Sequence, residues 1–136
     1  MKKFFVLWVV VSLCVPLLYA GGQKEVEKVN LIIATGGTAG TYYPFGGAMA
    51  QIWNTNIKEM NVTAQATGAS KENIRLVGKG EAELAIVQND VMDYASKGIE
   101  LFKGEKIETF STIATLYPEI VQIVVNPDSG INSVAD

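Results

Sequence analysis

Histidine is absent from the 136 residues, and cysteine occurs once, as Cys14. Histidine is the usual general base near neutral pH, and histidine and cysteine together supply most zinc and copper ligands. We therefore expect no histidine-based catalysis, no metal site and no cofactor here. A single cysteine also forms no disulfide within the chain, so stability must come from packing.

Basic residues are also scarce. Lys and Arg number 11 against 14 Asp and Glu, which gives a formal net charge of −3, and no run of basic residues occurs. Nucleic-acid-binding proteins carry a basic patch or stripe. We therefore exclude nucleic acid as a partner.

Apolar residues are concentrated at the start of the chain. A basic beginning at residues 1–3 precedes an almost purely apolar run over 4–18, which ends near the small residue Ala20. This order is typical of a secretory signal peptide, and the run is shorter than the roughly 20 residues that span a bilayer. We predict residues 1–20 as a signal peptide, with an uncleaved membrane anchor as the alternative, and 21–28 as a linker. The chain is then periplasmic or otherwise extracytoplasmic.

The remainder alternates between two kinds of pattern. Strand patterns occupy 29–35, 61–67 and 83–87, and helix patterns follow at 42–57, 70–77 and 88–97. This alternation predicts an α/β fold with parallel strands joined by crossover helices. Ligands bind such sheets at the carboxyl ends of strands. Three polar turns fall there, at 36–43, 68–72 and 88–90.

Two more strand-like stretches follow at 110–117 and 119–125, separated by Pro118. They are rich in β-branched and apolar residues, as strands usually are. We predict both as strands.

The first turn, 36–43, is rich in glycine, but it lacks the spacing of a dinucleotide or P-loop motif. Backbone N–H groups at the start of a helix attract anions. We expect these groups, together with Thr38 or Thr41, to bind a carboxylate, although a turn without a ligand gives the same pattern.

Several side chains near the turns have two interpretations. Ser70 is either the N-cap of its helix or a ligand donor. Of Tyr42 and Tyr43, we expect one to face the core and one the ligand. Gln88 has no capping role, which favours a binding role. Arg75, in mid-helix, is interpreted as part of a solvated face.

An enzyme remains the alternative class. Residues 32–40 resemble the nucleophile segment of asparaginases, in which a threonine precedes two glycines, as Thr35 does here. That threonine needs activation by a base or a hydroxyl–acid–lysine network. The second motif that supplies it, Gly-Thr-Asp-Thr, is absent. We therefore predict that the chain is not an enzyme, with a hydrolase that uses Thr35 as the alternative.

Five short motifs follow one another along the chain: Gly40-Thr41-Tyr42-Tyr43-Pro44, Thr67-Gly68-Ala69-Ser70 with Asn73, Gly80 to Ala85, Val87-Gln88-Asn89-Asp90, and Leu116-Tyr117-Pro118-Glu119. None is specific alone. In this order and at this spacing, they resemble the TAXI family of TRAP transporter solute receptors, from about Asn30 to Asp136.

The resemblance implies a two-lobed, type II periplasmic-binding-protein fold. It also implies a monomeric receptor that delivers a small carboxylate or amino-acid-like solute to the membrane subunits of a sodium-coupled transporter. The binding residues that it implies are Gly40, Thr41, Tyr42, Tyr43, Ala69, Ser70, Gln88 and Tyr117.

Members of that family are more than twice this length, with a second lobe after the segment at 130–136. We therefore expect residues 29–136 to be lobe one, truncated and without its second lobe. Receptors of this kind trap ligand by closing two lobes about a hinge. The chain alone is then expected to bind weakly or not at all, and a non-functional fragment is a further alternative.

Overall fold

The structure is a computed structural model, and it describes residues 27–136. The predicted signal peptide and most of the predicted linker lie outside the described residues. Among the residues that are described, no helix is both long enough and apolar enough to cross a membrane.

Three parallel strands form one sheet, in the order β2-β1-β3. Strand β1 is Val29–Ala34, β2 is Met60–Gln65, and β3 is the short Leu84–Ala85. Each lies within or beside a predicted strand, because runs of β-branched and apolar residues suit a buried sheet. The prediction of a parallel α/β fold is confirmed.

Three helices connect and follow the strands: α1 is Tyr42–Asn56, α2 is Ser70–Lys79 and α3 is Asn89–Lys97. Helix α2 continues through Gly78 and ends at Gly80, whose left-handed φ of 72° suits glycine. Helix α3 ends in the same way at Gly98, as predicted. Two short 3-10 helices, Glu100–Phe102 and Pro127–Ser129, complete the secondary structure of the described residues.

Two hydrophobic clusters hold these layers together. Helix α1 packs on the sheet through a buried cluster made of Ile33, Ala50, Val62 and Ile86. Helices α2 and α3 share a second cluster, made of Ile74, Val91, Ala95 and Phe102. Because crossover connections are right-handed, a strand order of β2-β1-β3 places α1 and α2 on opposite faces of the sheet. The two separate clusters agree with this arrangement.

The prediction of strands at 110–117 and 119–125 is wrong for the described chain. Neither stretch pairs with β1, β2 or β3, and Ile113, Val121 and Val124 are more than four-fifths exposed. β-branched composition fits a pleated surface, but a strand also needs a neighbour to which its backbone can hydrogen-bond. These stretches have no such neighbour among residues 27–136.

Candidate functional site

The order of the strands indicates which edge of the sheet is the candidate ligand site. Strand β2 lies on one side of β1, and β3 lies on the other side. The turns after β1 and β3 therefore lead to helices on opposite faces, which opens a crevice at the carboxyl ends of these two strands. Ligands of open α/β sheets bind at such a switch point.

The first turn lies close to the second. A Cβ atom placed on Gly36 would lie 3.4 Å from the Cβ of Tyr42 and 3.8 Å from that of Ala69. The Gly36 carbonyl accepts a hydrogen bond of 3.2 Å from the Thr67 N–H. The first turn, the start of α1 and the second turn therefore lie close together at Gly36.

The second turn holds a strained residue. Ala69, just before α2, has φ 67° and ψ −155°, a combination that is essentially restricted to glycine. The surrounding hydrogen bonds impose it: the Ala69 N–H donates to Thr67 Oγ1 at 3.1 Å, and the Gly68 N–H donates to Glu72 Oε2 at 2.7 Å. Strain of this kind is found preferentially at ligand sites.

Asn73 joins the ends of the strands beneath these turns. It is fully buried, and its Nδ2 lies 2.5 Å from the Thr35 carbonyl, 2.8 Å from that of Ile86 and 3.3 Å from that of Ala34. Its Oδ1 accepts a 2.6 Å hydrogen bond from Thr67 Oγ1. One side chain therefore fixes the carboxyl ends of β1 and β3 and the second turn relative to each other.

The prediction that Ser70 caps α2 is wrong. Ser70 is the first helical residue, the N-cap position is Ala69, and no side chain makes a capping hydrogen bond there. Instead Ser70 Oγ accepts a 3.0 Å hydrogen bond from the Gln88 N–H. The hydroxyl thus links the second turn to the third, and it is unavailable to the helix N-terminus for this reason.

The third turn contacts the exposed segment after β3. Gln88 Nε2 donates a 2.6 Å hydrogen bond to Glu119 Oε2. The Tyr117 ring packs edge-on against Phe45 of α1, with ring centroids 5.6 Å apart. Residues 117–119 are therefore anchored at the crevice through Gln88 and α1, although they belong to no strand.

The two tyrosines of this group titrate abnormally. Burial, and then hydrogen bonding to the Glu119 carboxylate, raise the pKa of Tyr42 above its ordinary value. Burial and the nearby Glu119 charge also raise the pKa of Tyr117. Both phenols therefore stay protonated at physiological pH and act as neutral hydrogen-bonding groups.

The Tyr117 hydroxyl is buried beside the Glu119 carboxylate, yet no hydrogen bond of ordinary geometry joins it to a described residue. Leaving a buried hydroxyl unpaired costs about 1–3 kcal/mol. A group that is retained at this cost, at the mouth of a crevice, is poised to bond to a ligand.

The predicted binding residues thus fall into two sets. One set consists of residues that lie close to one another, directly or through Glu119: Tyr42, Ser70, Gln88 and Tyr117. Ala69 lies within contact distance of the first turn. The hydrogen bonds and ring contacts that join this group do not include Gly40, Thr41 or Tyr43. Tyr42 packs against the α1 core cluster, as one of the two tyrosines was expected to do, and both tyrosines are partly exposed; which of them contacts a ligand stays a prediction.

Glu119 is the member of the group that the sequence interpretation did not select. Glu119 is the last residue of the motif Leu116-Tyr117-Pro118-Glu119, but only Tyr117 was selected from that motif as a binding residue. A carboxylate two residues beyond that ring lies on the same side of an extended chain. This spacing was the available signal.

The hydrolase alternative finds no support in the geometry. Thr35 is completely buried, and its Oγ1 donates a 2.5 Å hydrogen bond to the Gln65 carbonyl. A nucleophile must reach its substrate and release its proton to a base. Within residues 27–136 no three His, Cys, Asp or Glu side chains are grouped so as to hold a metal ion.

Comparison with protein families gives one result. The model of the NMT1-like family matches residues 33–136, which include the last two residues of β1, all of β2 and β3, all three helices and residues 117–119.

Proposed function

Because the chain belongs to the NMT1-like family, a periplasmic binding-protein family related to solute-binding proteins, we propose that it is the extracytoplasmic receptor of a TRAP-type secondary transporter. The family suggests an extracytoplasmic solute-binding role and a small-molecule ligand. The TRAP-type role, the TAXI subfamily and the type II two-lobed fold are the finer parts of the proposal. They rest on the five ordered motifs.

The observation that carries the proposal is the convergence of polar turns at the switch point of the sheet. Ser70, Gln88 and Tyr42 come from three different turns or helix starts, and they meet beside the unpaired hydroxyl of Tyr117. Strained backbone at Ala69 adds to the case. Nothing in the packing of the sheet requires these polar groups to meet there.

The proposed solute is a small carboxylate or an amino-acid-like molecule. Free N–H groups at the starts of α1, α2 and α3 face the carboxyl edge of the sheet, and such groups favour negative charge. The proposed binding residues remain Gly40, Thr41, Tyr42, Tyr43, Ala69, Ser70, Gln88 and Tyr117. No catalytic residue is assigned.

A melting screen tests the proposal. The purified protein is heated with a panel of amino acids, mono- and dicarboxylates and, as a contrast, neutral sugars. A ligand at a hundred times its Kd stabilises the native state by about 2.7 kcal/mol. We expect a dose-dependent rise in Tm with at least one acid, small or absent in the chain alone and larger in a version extended by a second lobe, and none with the sugars; an extended version without any shift contradicts the proposal.

A matched pair of variants locates the binding. Tyr42→Phe removes a hydroxyl from the proposed site, whereas Tyr94→Phe makes the same change in α3, beside the second hydrophobic cluster. We expect only Tyr42→Phe to reduce the ligand-induced shift. Equal shifts in both variants would place the ligand elsewhere.

The transport role needs its own test. Deleting the gene in the source organism should abolish high-affinity uptake of the solute found in the screen, and re-expression should restore it. Unchanged uptake after deletion would leave a binding protein that serves no transporter for that solute.

A further inference from the structure

Glu119 brings a negative charge into a site proposed to hold a carboxylate. No Lys or Arg of the described chain forms an ion pair with it, while three other carboxylates, those of Asp93, Glu105 and Glu108, do have such partners. Its neighbours Gln88, Tyr42 and Tyr117 are all neutral. The charge of Glu119 is therefore not neutralised within the group.

The carboxylate also has unused bonding capacity. An ionised carboxylate accepts about four hydrogen bonds. Gln88 Nε2 supplies one at 2.6 Å, and the hydroxyls of Tyr42 and Tyr117 lie nearby. Lone pairs remain for a donor that comes from outside the chain.

Aromatic rings complete the surroundings. Tyr42 and Tyr117 flank Glu119, and Phe45 backs the Tyr117 ring. A carboxylate beside phenol oxygens favours a positively charged donor, because hydrogen bonds between a cation and a carboxylate are strong. A second carboxylate placed here would instead be repelled by Glu119.

We infer that Glu119 is a specificity-determining residue that binds a protonated nitrogen of the solute. The solute then carries both charges: its carboxylate lies at the N–H groups of the turns, and its ammonium group lies between Glu119 and the tyrosines. This inference deepens the proposed function and rests on it, since it chooses the amino-acid-like solute over the plain carboxylate.

The unpaired Tyr117 hydroxyl fits the same occupant. Its oxygen can accept a hydrogen bond from an ammonium group, as a neutral phenol oxygen does. A site built for a dianion would be expected to hold a cation at this point, and no Lys or Arg of the described chain forms an ion pair with Glu119.

Paired probes that differ at one group give the test. L-glutamate and 2-oxoglutarate, and L-alanine and pyruvate, differ mainly in an ammonium group replaced by a keto oxygen. Titration calorimetry on the purified protein should give a Kd at least tenfold lower for the amine of whichever pair binds. Glu119→Gln keeps the shape and the acceptor oxygen but removes the charge, and it should reduce this preference to less than about threefold.

Glu59→Gln is the matched control. Glu59 is exposed and precedes β2, at the amino edge of the sheet, so the same loss of charge occurs far from the crevice. It should leave the amine preference intact, which separates a local contact from an effect of net charge.

The outcomes separate the two proposals. If no acid of any kind binds, even to a version extended by a second lobe, the receptor proposal itself fails. If acids bind but the keto partner binds as well as the amine, or if Glu119→Gln retains the full preference, the receptor proposal stands and the role of Glu119 is refuted.

Discussion

Asn73 and Tyr117 both bury polar atoms, but the two residues differ in whether those atoms are hydrogen-bonded. The Asn73 amide uses both its nitrogen and its oxygen within the chain, so it stabilises the native state. The Tyr117 hydroxyl has no partner among the described residues. Buried groups are nearly always paired, and an exception calls for an explanation other than stability. At Tyr117 the explanation that we favour is a ligand.

This contrast predicts that removing the Tyr117 hydroxyl weakens ligand binding without lowering the stability of the fold. Tyr117→Phe keeps the ring contact with Phe45 and removes the unpaired hydroxyl, so the free energy of unfolding should stay the same or rise by about 1 kcal/mol. The affinity for the solute should fall. Urea unfolding and titration calorimetry measure the two effects.

Tyr94→Phe serves as the comparison, since it lies in α3 beside the second cluster and should not affect the affinity. A loss of more than about 1 kcal/mol in Tyr117→Phe would mean that the hydroxyl is paired in the folded chain.

Among the elements, α2 shows how a surface charge can hold a loop. Arg75 was interpreted as part of a solvated face; it instead pairs with Glu105, on the loop after α3, and its guanidinium lies 5.5 Å from the centre of the Phe102 ring. The pair fastens this loop to α2. Hydrogen bonding to Arg75 lowers the pKa of Glu105 below its ordinary value.

A lowered pKa in the folded state makes the contribution of this pair depend on pH. Stability from Glu105 is fully present above the ordinary carboxylate pKa, and it is lost as the pH falls through the lowered pKa. Glu105→Gln should therefore reduce Tm near neutral pH, and its difference from the unmodified chain should shrink in acid. Thermal unfolding from pH 7 to pH 2.5 measures this.

Arg75→Gln tests the same pair from its other side. The double variant should lose little more than either single variant, because all three lack one interaction. Additive losses, or a Glu105→Gln difference that persists in strong acid, would show that the pair does not fasten the loop. Both residues are more than a third exposed, so the effect is modest.

The sequence predicted the elements where local chemistry determines them. Apolar β-branched runs predicted β1 and β2, and the left-handed glycines Gly80 and Gly98 marked the ends of α2 and α3. The failures depend on distant contacts. The Ser70 hydroxyl bonds to Gln88, 18 positions away, so its suitability as a cap did not decide its role.

The position of the three turns was predicted more accurately than the contacts between their residues. Parallel topology alone brings the turns after β1, β2 and β3 to one edge, and the structure has them there. That Glu119 reaches the edge depends on how the segment after residue 109 runs, and sequence periodicity carries no information on that path.

The whole molecule combines a hydrogen-bonded sheet with a long extended segment. Strand β1 pairs with both neighbours, whereas residues 110–125 make no backbone hydrogen bond to the rest of the described chain. Ile120, Val121, Ile123 and Val124 are each at least 70% exposed. The segment contacts the rest of the chain through side chains: Phe110 packs against the second cluster, Tyr117 packs against Phe45, and Glu119 accepts a hydrogen bond from Gln88.

This division predicts an uneven pattern of amide hydrogen exchange. Amides of residues 110–125 should exchange within about tenfold of unstructured peptide rates, because they lack backbone partners, while those of residues 31–34 should be protected close to the global stability limit. Adding the solute identified by the melting screen should slow exchange mainly at residues 116–120, where Tyr117 and Glu119 are proposed to bind it. Exchange measured by mass spectrometry, with and without that solute, resolves these segments. If residues 110–125 are as protected as β1 without solute, then a partner already pairs with them, and the proposed site must be redrawn around that partner.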